Sequence, residues 1–232
     1  ESQISDPDDI DAVRLSRSLD QVDYDLVAFQ TGTSYYSRGN CLSSPDPGVR
    51  QRTVELLKRF VDFSRRFGSI IVFGSLQGRA SDEPNHAKGQ DRILAAMKTV
   101  ADYATSENAL VAFEPVNHLE TAYHNTIDSV ATLVRDFQQP GLQMMIDTFH
   151  MNIEETNLAD AIRAGKGYIG HVHFVDSNRR AAGLGHMDYA PIAAALKEIG
   201  YDKYASAEAF PYPDPDAAAV QTIAAYNEYL KG

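Results

Sequence analysis

The stretch Leu142–Glu155 reads LQMMIDTFHMNIEE, and its reading decides the fold. The apolar half has the length of one buried strand, yet it finishes on a carboxylate, Asp147, with an imidazole, His150, three residues later. Taken alone, Asp147 reads as the cap of a following helix. Whether it does more depends on how the other apolar runs in the chain end.

Five further runs have the same character: Tyr24–Gln30, Ser69–Phe73, Leu110–Val116, Tyr168–Phe174 and Tyr204–Phe210. They are nearly continuous in apolar or small residues instead of alternating, the pattern of parallel strands covered on both faces. Between them lie helical periods. Val54, Leu57 and Val61 mark a helix within Pro47–Phe67, with Gly68 as its stop. Asp91–Ser106 carries a second stripe, Asn125 is placed to cap a third helix ended by Pro140-Gly141, and Pro191–Ile199 and Asp216–Leu230 supply two more. Glu154 and Glu155 read as the first turn of a helix, where acidic residues suit the dipole.

Strand and helix thus alternate, which means parallel β-α-β units. A doubly wound sheet would bring a glycine-rich phosphate turn after its first strand, and Gly74-Ser-Leu-Gln-Gly78 is not one. Polar residues at the strand ends point instead to an α/β fold of the (β/α)8 TIM barrel type, as one domain over residues 1–232. Only six strands are visible, and the opening Glu1-Ser-Gln-Ile-Ser-Asp-Pro already reads as the exit from a strand. The expectation is a barrel without its first strand, its first helix and most of its second strand.

Composition narrows the function. The 232 residues are 44% hydrophobic, enough for one sizeable core, and the formal net charge is −11. That balance argues against a nucleic-acid partner, whose affinity rests on clustered Lys and Arg. The single cysteine, Cys41, excludes an internal disulfide or a cysteine metal site and points to a reducing, cytoplasmic setting. No apolar run approaches the roughly 20 residues needed to span a bilayer, so no membrane partner is expected.

Four successive strands end on metal-competent side chains: Glu114 in VAFEPV, Asp147 in QMMID, His171 or His173 in GHVHF, and Glu208 in ASAEAF. His173 lies nearer its strand's C-terminal end and is the better candidate. Each residue alone has an ordinary structural reading, as an ion-paired Glu, a capping Asp or a satisfied core His. Together they would be costly to bury unpartnered, and one divalent cation at their centre relieves all four. Three carboxylates and an imidazole suit Mn²⁺, Mg²⁺ or Co²⁺ better than structural zinc. Glu120, His150, Arg179 and Arg180 form a second group around these ends, while His118, His124 and His186 read as surface or supporting residues.

The segments EPVNHLE, DTFHMNIEE and GHVHF followed by DSNRR closely resemble the ketose 3-epimerases of the tagatose/psicose (allulose) type, within the xylose-isomerase-like barrel superfamily. The resemblance runs from about Tyr24 to Phe210. It implies Mn²⁺, or a similar ion, held by Glu114, Asp147, His173 and Glu208, with Glu114 and Glu208 also the acid/base pair at C3 of a free ketose. It further implies substrate contacts from Glu120, His150 and Arg179, and a homo-oligomer, dimer or tetramer. Two departures bear on the sugar: His118 stands where the family often has Arg, and Gly183-Leu-Gly-His-Met-Asp-Tyr189 replaces its Gly-x-Gly-Arg-x-x-Trp loop. The competing readings are an aldose–ketose or hydroxypyruvate-type isomerase acting on a sugar or sugar phosphate, a DNA-repair endonuclease of the same barrel type, and a barrel that keeps the site without turnover. Only seven histidines and the acidic charge weigh against the endonuclease.

Overall fold

The short apolar runs hydrogen-bond into one parallel sheet whose spatial order is the chain order. A computed structural model describes residues 1–231. Its elements are β1 (Ser2–Gln3), α1 (Ala12–Val22), β2 (Ala28–Gln30), α2 (Gly32–Arg38), α3 (Pro47–Ser64), β3 (Ile70–Phe73), α4 (His86–Ser106), β4 (Val111–Phe113), α5 (Ile127–Phe137), β5 (Leu142–Asp147), α6 (Thr148–Glu154), α7 (Leu158–Ala164), β6 (Ile169–His173), α8 (Tyr189–Glu198), β7 (Ala205–Ser206) and α9 (Pro215–Tyr229). Sequential parallel neighbours joined by helices make a curled sheet of the TIM barrel type, with seven strands among the described residues. The seventh beyond the six visible in the sequence is β1, whose two residues are too few to show a period.

Side-chain caps start the helices. Asp46, Asn85, Asp188 and Asp214 each accept a first-turn N–H, and Pro47 and Pro215 open their helices where a missing N–H costs nothing. Three expectations are corrected here. Thr126, not Asn125, caps α5: its hydroxyl accepts the Ser129 N–H at 3.3 Å, while the Asn125 amide donates to the Val116 carbonyl at 2.6 Å. Helix α8 begins at Tyr189, because Asp188 caps it and Pro191 is tolerated within the first turn. Glu154 and Glu155 end α6 instead of starting a helix, because Asp147 caps α6 with no intervening loop. Glu155 nevertheless serves a helix N-terminus, accepting the Ile127 N–H of α5 at 2.7 Å.

The larger part of the core lies between sheet and helices, where Phe29, Phe60, Phe73 and Phe113 are fully buried. Each such side chain contributes about 1.5–3 kcal/mol. A second cluster, Ala28, Ile70, Val72, Ala112 and Met145, fills the inside of the curl. Two residues further along these strands the inward positions turn polar or small: Gln30, Gly74, Glu114 and Asp147, joined by His173 two residues after His171. The strand period therefore stacks a polar layer on an apolar floor. A register shift between Met144 and Met145 sets Met145 opposite His171 and Asp147 opposite His173. Among the described residues, β1 pairs only with β2 and β7 only with β6, and side chains bridge the two edges: Gln3 donates to Glu208, and Ser206 donates to Glu1.

Candidate metal and substrate site

Four strand ends deliver the candidate ligands to one place. Asp147 and His173 are the last residues of β5 and β6, Glu114 follows β4 by one residue, and Glu208 follows β7 by two. Glu208 thus sits in a loop and not within a strand spanning Tyr204–Phe210, because β7 pairs over only two residues. His173 Nδ1 lies 3.3 Å from Asp147 Oδ2 and 3.9 Å from Glu208 Oε2, and His150 Nε2 lies 3.5 Å from Glu114 Oε1. Asp147 belongs to two clusters at once, one with Glu114 and His150 and one with His173 and Glu208, each with donor atoms within 4.8 Å of one another. Its two oxygens divide the work: Oδ1 accepts the Phe149 N–H at 2.7 Å and caps α6, while Oδ2 faces His173.

The electrostatics fit a cation at that point. Glu114 Oε1 is buried and has no hydrogen-bond partner among the described residues. Burial pushes the Glu114 carboxyl well above the usual carboxylate range; His173 draws it partway back, and Glu208 and Asp147 push it up again. Burial also works against a charged Asp147, but its hydrogen bond to His173 and the His150 ring hold that carboxyl below its ordinary value. Burial opposes a charged His173 too, yet Glu1 and Asp147 raise it well above the ordinary imidazole value. The protein on its own therefore keeps protons among acids that cannot all ionise. An oxygen-rich set with one imidazole and one unsatisfied buried oxygen accepts a hard divalent ion.

Arg179 covers the open side. Its guanidinium donates to Glu208 Oε2 at 2.6 Å and to Glu120 Oε1 at 3.2 Å, and lies 5.1 Å from the Phe149 ring centroid. The residue holds a left-handed backbone, φ 58°, a strained conformation for a side chain of this size. Two backbone bonds keep it there: its N–H donates to the Asp176 carbonyl, and its own carbonyl accepts the Phe210 N–H. Asp176, fully buried, in turn accepts the N–H groups of Ser177 and Gly183 and pins the loop. His150 Nδ1 lies 2.6 Å from the Asn117 side-chain amide, which donates to it and leaves the Nε2 proton facing Glu114.

Glu114, Glu120, His150, Arg179 and Glu208 line a cavity of about 170 Å³ that Gln3, Gln30, Thr33 and Ser75 complete. Larger hollows lie elsewhere, among them one at the ion pairs of Asp6, Arg38 and Arg59 and one between α8 and α9, and neither of these two gathers comparable chemistry. Sequence reasoning missed Asn117, Gln30 and Gly74. A Cβ on Gly74 would stand 2.6 Å from Glu114 Oε2 and 2.5 Å from Val116 Cγ2, so the glycine makes room for the carboxylate. Its position two residues past Val72 on the inward face was the available signal. Of the other residues singled out, His118 is exposed and pairs with Glu154, and His124 is buried against Phe113. His186 bonds Ser177, and Arg180 stacks on Tyr212 outside the cavity.

A curled parallel sheet with a carboxylate–imidazole cluster at its C-terminal rim defines a metal-competent barrel. The model of the family described as xylose isomerase-like TIM barrel matches residues 2–229, and the chain belongs to that family. The chain is 32% identical over 203 residues to the L-ribulose 3-epimerase of Methylomonas sp. (strain DH-1), covering 87% of this chain and 70% of that one. It is 35% identical over 172 residues to the L-ribulose 3-epimerase of Mesorhizobium japonicum, covering 73% and 58%. The D-psicose 3-epimerase of Agrobacterium fabrum is 31% identical over 169 residues, covering 71% and 58%. The chain thus spans 58–70% of the length of these relatives. Among solved structures, an L-ribulose 3-epimerase superposes with a TM-score of 0.84 at 28% identity, over 99% of this chain and 82% of that one. A D-psicose 3-epimerase determined in the presence of D-fructose gives 0.85 at 25% identity, over 97% and 86%. No helix among the described residues is long and apolar enough to cross a membrane.

Proposed function

We propose that the chain, as one barrel domain over residues 1–232, is a metal-dependent ketose 3-epimerase that inverts C3 of a free ketose. The observation that carries this reading is the placement of two glutamates, Glu114 and Glu208, on the two flanks of Asp147 and His173 around one small cavity. Epimerisation needs a carboxylate on each face of a planar intermediate, whereas a single base favours carbonyl transfer between C1 and C2. A divalent cation, Mn²⁺ in this reading with Mg²⁺ or Co²⁺ as alternatives, would be held by Glu114, Asp147, His173 and Glu208 and would polarise the substrate carbonyl when bound. For one epimer, Glu114 takes the C3 proton, leaving an enediolate, and a protonated Glu208 returns a proton to the opposite face. For the other epimer the two exchange roles. Arg179 and His150 position the substrate oxygens, and Glu120 holds Arg179 while reaching the carbonyl end of the sugar.

A panel of ketoses (fructose, psicose, tagatose, sorbose, ribulose and xylulose) assayed with Mn²⁺ in D₂O tests the reading. Deuterium at C3 supports it; deuterium only at C1 or C2 replaces it with an aldose–ketose isomerase. The same reading takes the enzyme as cytoplasmic, in keeping with the single, buried, free Cys41, and as a homo-oligomer, which rests on the family resemblance. Light scattering on the eluted protein measures its assembly.

A further inference from the structure

Strand β1 supplies none of the four candidate ligands, yet its face meets two of them. Gln3 donates to Glu208, and Glu1, two residues earlier on the same face, places its carboxylate against His173. The Glu1 oxygens lie 2.9 and 3.1 Å from His173 Nε2, 3.3 Å from His171 Nε2, and accept the Ser206 hydroxyl. The Glu1 side chain is only 13% exposed. The other ring nitrogen, Nδ1, faces Asp147 and Glu208.

We infer that Glu1 is a positioning residue for the metal ligand His173: its carboxylate accepts the Nε2 proton and so leaves the Nδ1 lone pair directed at the cation. This rests on the proposed metal site. An imidazole that ligates through Nδ1 must carry its proton on Nε2, and that proton, buried, needs an acceptor. Among the described residues Glu1 supplies that acceptor; the Gln30 amide nitrogen, 2.9 Å from the same ring atom, is a donor and would accept the proton only with its amide turned over. His171, hydrogen-bonded to Ser206 at 2.7 Å, holds Glu1 from below. Glu1, His171 and His173 also satisfy the spacing of a second cation site. That arrangement would engage both nitrogens of His173 and require the ring to lose both protons, so the support role is the better assignment.

The test compares the chain with Glu1→Ala and Glu1→Asp variants, titrated with Mn²⁺ by calorimetry and with Co²⁺ by its visible absorption. The expected result is one ion per wild-type chain, a loss of about 10–100-fold in affinity in Glu1→Ala with an altered Co²⁺ spectrum, and partial recovery in Glu1→Asp. Two ions per wild-type chain, falling to one in Glu1→Ala, would overturn the inference in favour of a second site. Affinity within twofold of wild type would also overturn it. So would a loss that Glu1→Asp fails to recover and that a lower melting temperature of the ion-free variant accounts for. These readouts do not use turnover, so an inactive ketose panel beside the expected binding pattern would sink the proposed reaction and leave this inference standing.

Discussion

The candidate site has two unlike halves. Glu114, Asp147 and His173 stand on β4, β5 and β6, three interior strands, and are buried almost completely. Glu208 follows β7, a two-residue edge strand, and its side chain is 25% exposed. The first half is held by main-chain pairing on both sides. The second is held by side chains, with Arg179 on one face of Glu208 and Gln3 reaching across from the opposite edge. The difference teaches that the same chemistry can be secured by burial or by ion pairing, and that the two fail differently. A buried ligand resists displacement but suffers if left unpaired, whereas an exposed one depends on its partners for orientation.

The hardest test of this contrast is to neutralise one glutamate from each half. Glu114→Gln and Glu208→Gln should each lower turnover by about 10²–10⁴-fold, measured as epimerisation rate. Their stabilities should diverge. Burial raises the Glu114 carboxyl above its unfolded value, so its favourable contribution is full below the ordinary carboxylate range and is lost as pH rises through the folded value. The raised His173 acts in the same direction. In melting experiments the metal-free chain should therefore carry a component of stability that falls with rising pH, opposed by the lowered Asp147 and His124, and Glu114→Gln should reduce that component. Glu208→Gln, which takes away one of the charges that raise Glu114 but leaves that carboxyl buried, should reduce the component less. Equal reductions in both variants would erase the distinction drawn here.

Next in size are two changes that keep every ligand. Gly74→Ala places a Cβ against Glu114 Oε2 and should cost about a hundredfold in kcat/KM, because that carboxylate must move. Arg179→Lys keeps the charge but loses the fork that joins Glu120 to Glu208, and about a hundredfold loss should follow in the exposed half. If the lysine variant is fully active, the edge half does not depend on its ion pairs.

Two smaller effects separate packing from chemistry. His124 lies outside the site, and burial lowers its imidazole to about 4. Its folded value is depressed, so stability is lost as pH falls from about 6.5, where the unfolded chain begins to take up the proton. Between pH 6.5 and 5 this amounts to about 2 kcal/mol, and His124→Gln should remove it from acid melting curves. Gln3→Ala should cost about 1 kcal/mol in urea unfolding, one hydrogen bond across the sheet edges, with a loss of activity smaller than that of Arg179→Lys.

How much of this was legible follows the same division. Strands β3 to β6 are nearly continuous in apolar or small residues, so the positions of Glu114 and Asp147 could be read from where those runs stop, and that of His173 from its being the later of two histidines in GHVHF. The strands β1 and β7 are two residues each, too short for any period, and the role of Gln3 lay outside reach for that reason. The register shift at Met144/Met145 leaves no mark in composition, although it decides that Asp147 stands opposite His173. Asn117 was passed over because the loop EPVNHLE offers two louder residues, His118 and Glu120. The misread Glu154 and Glu155 show a different limit: a strand that runs straight into a helix leaves no loop from which to count.

Gly74 carries a consequence for anyone who would transplant this site. The site includes a vacancy in the side-chain layer, and that vacancy is as position-specific as a ligand. A scaffold matched only on Glu114, Asp147, His173 and Glu208 would reproduce the donors and still fail if its third strand offered a methyl group at that height. The template to copy is therefore five positions, one of them defined by what it does not contain.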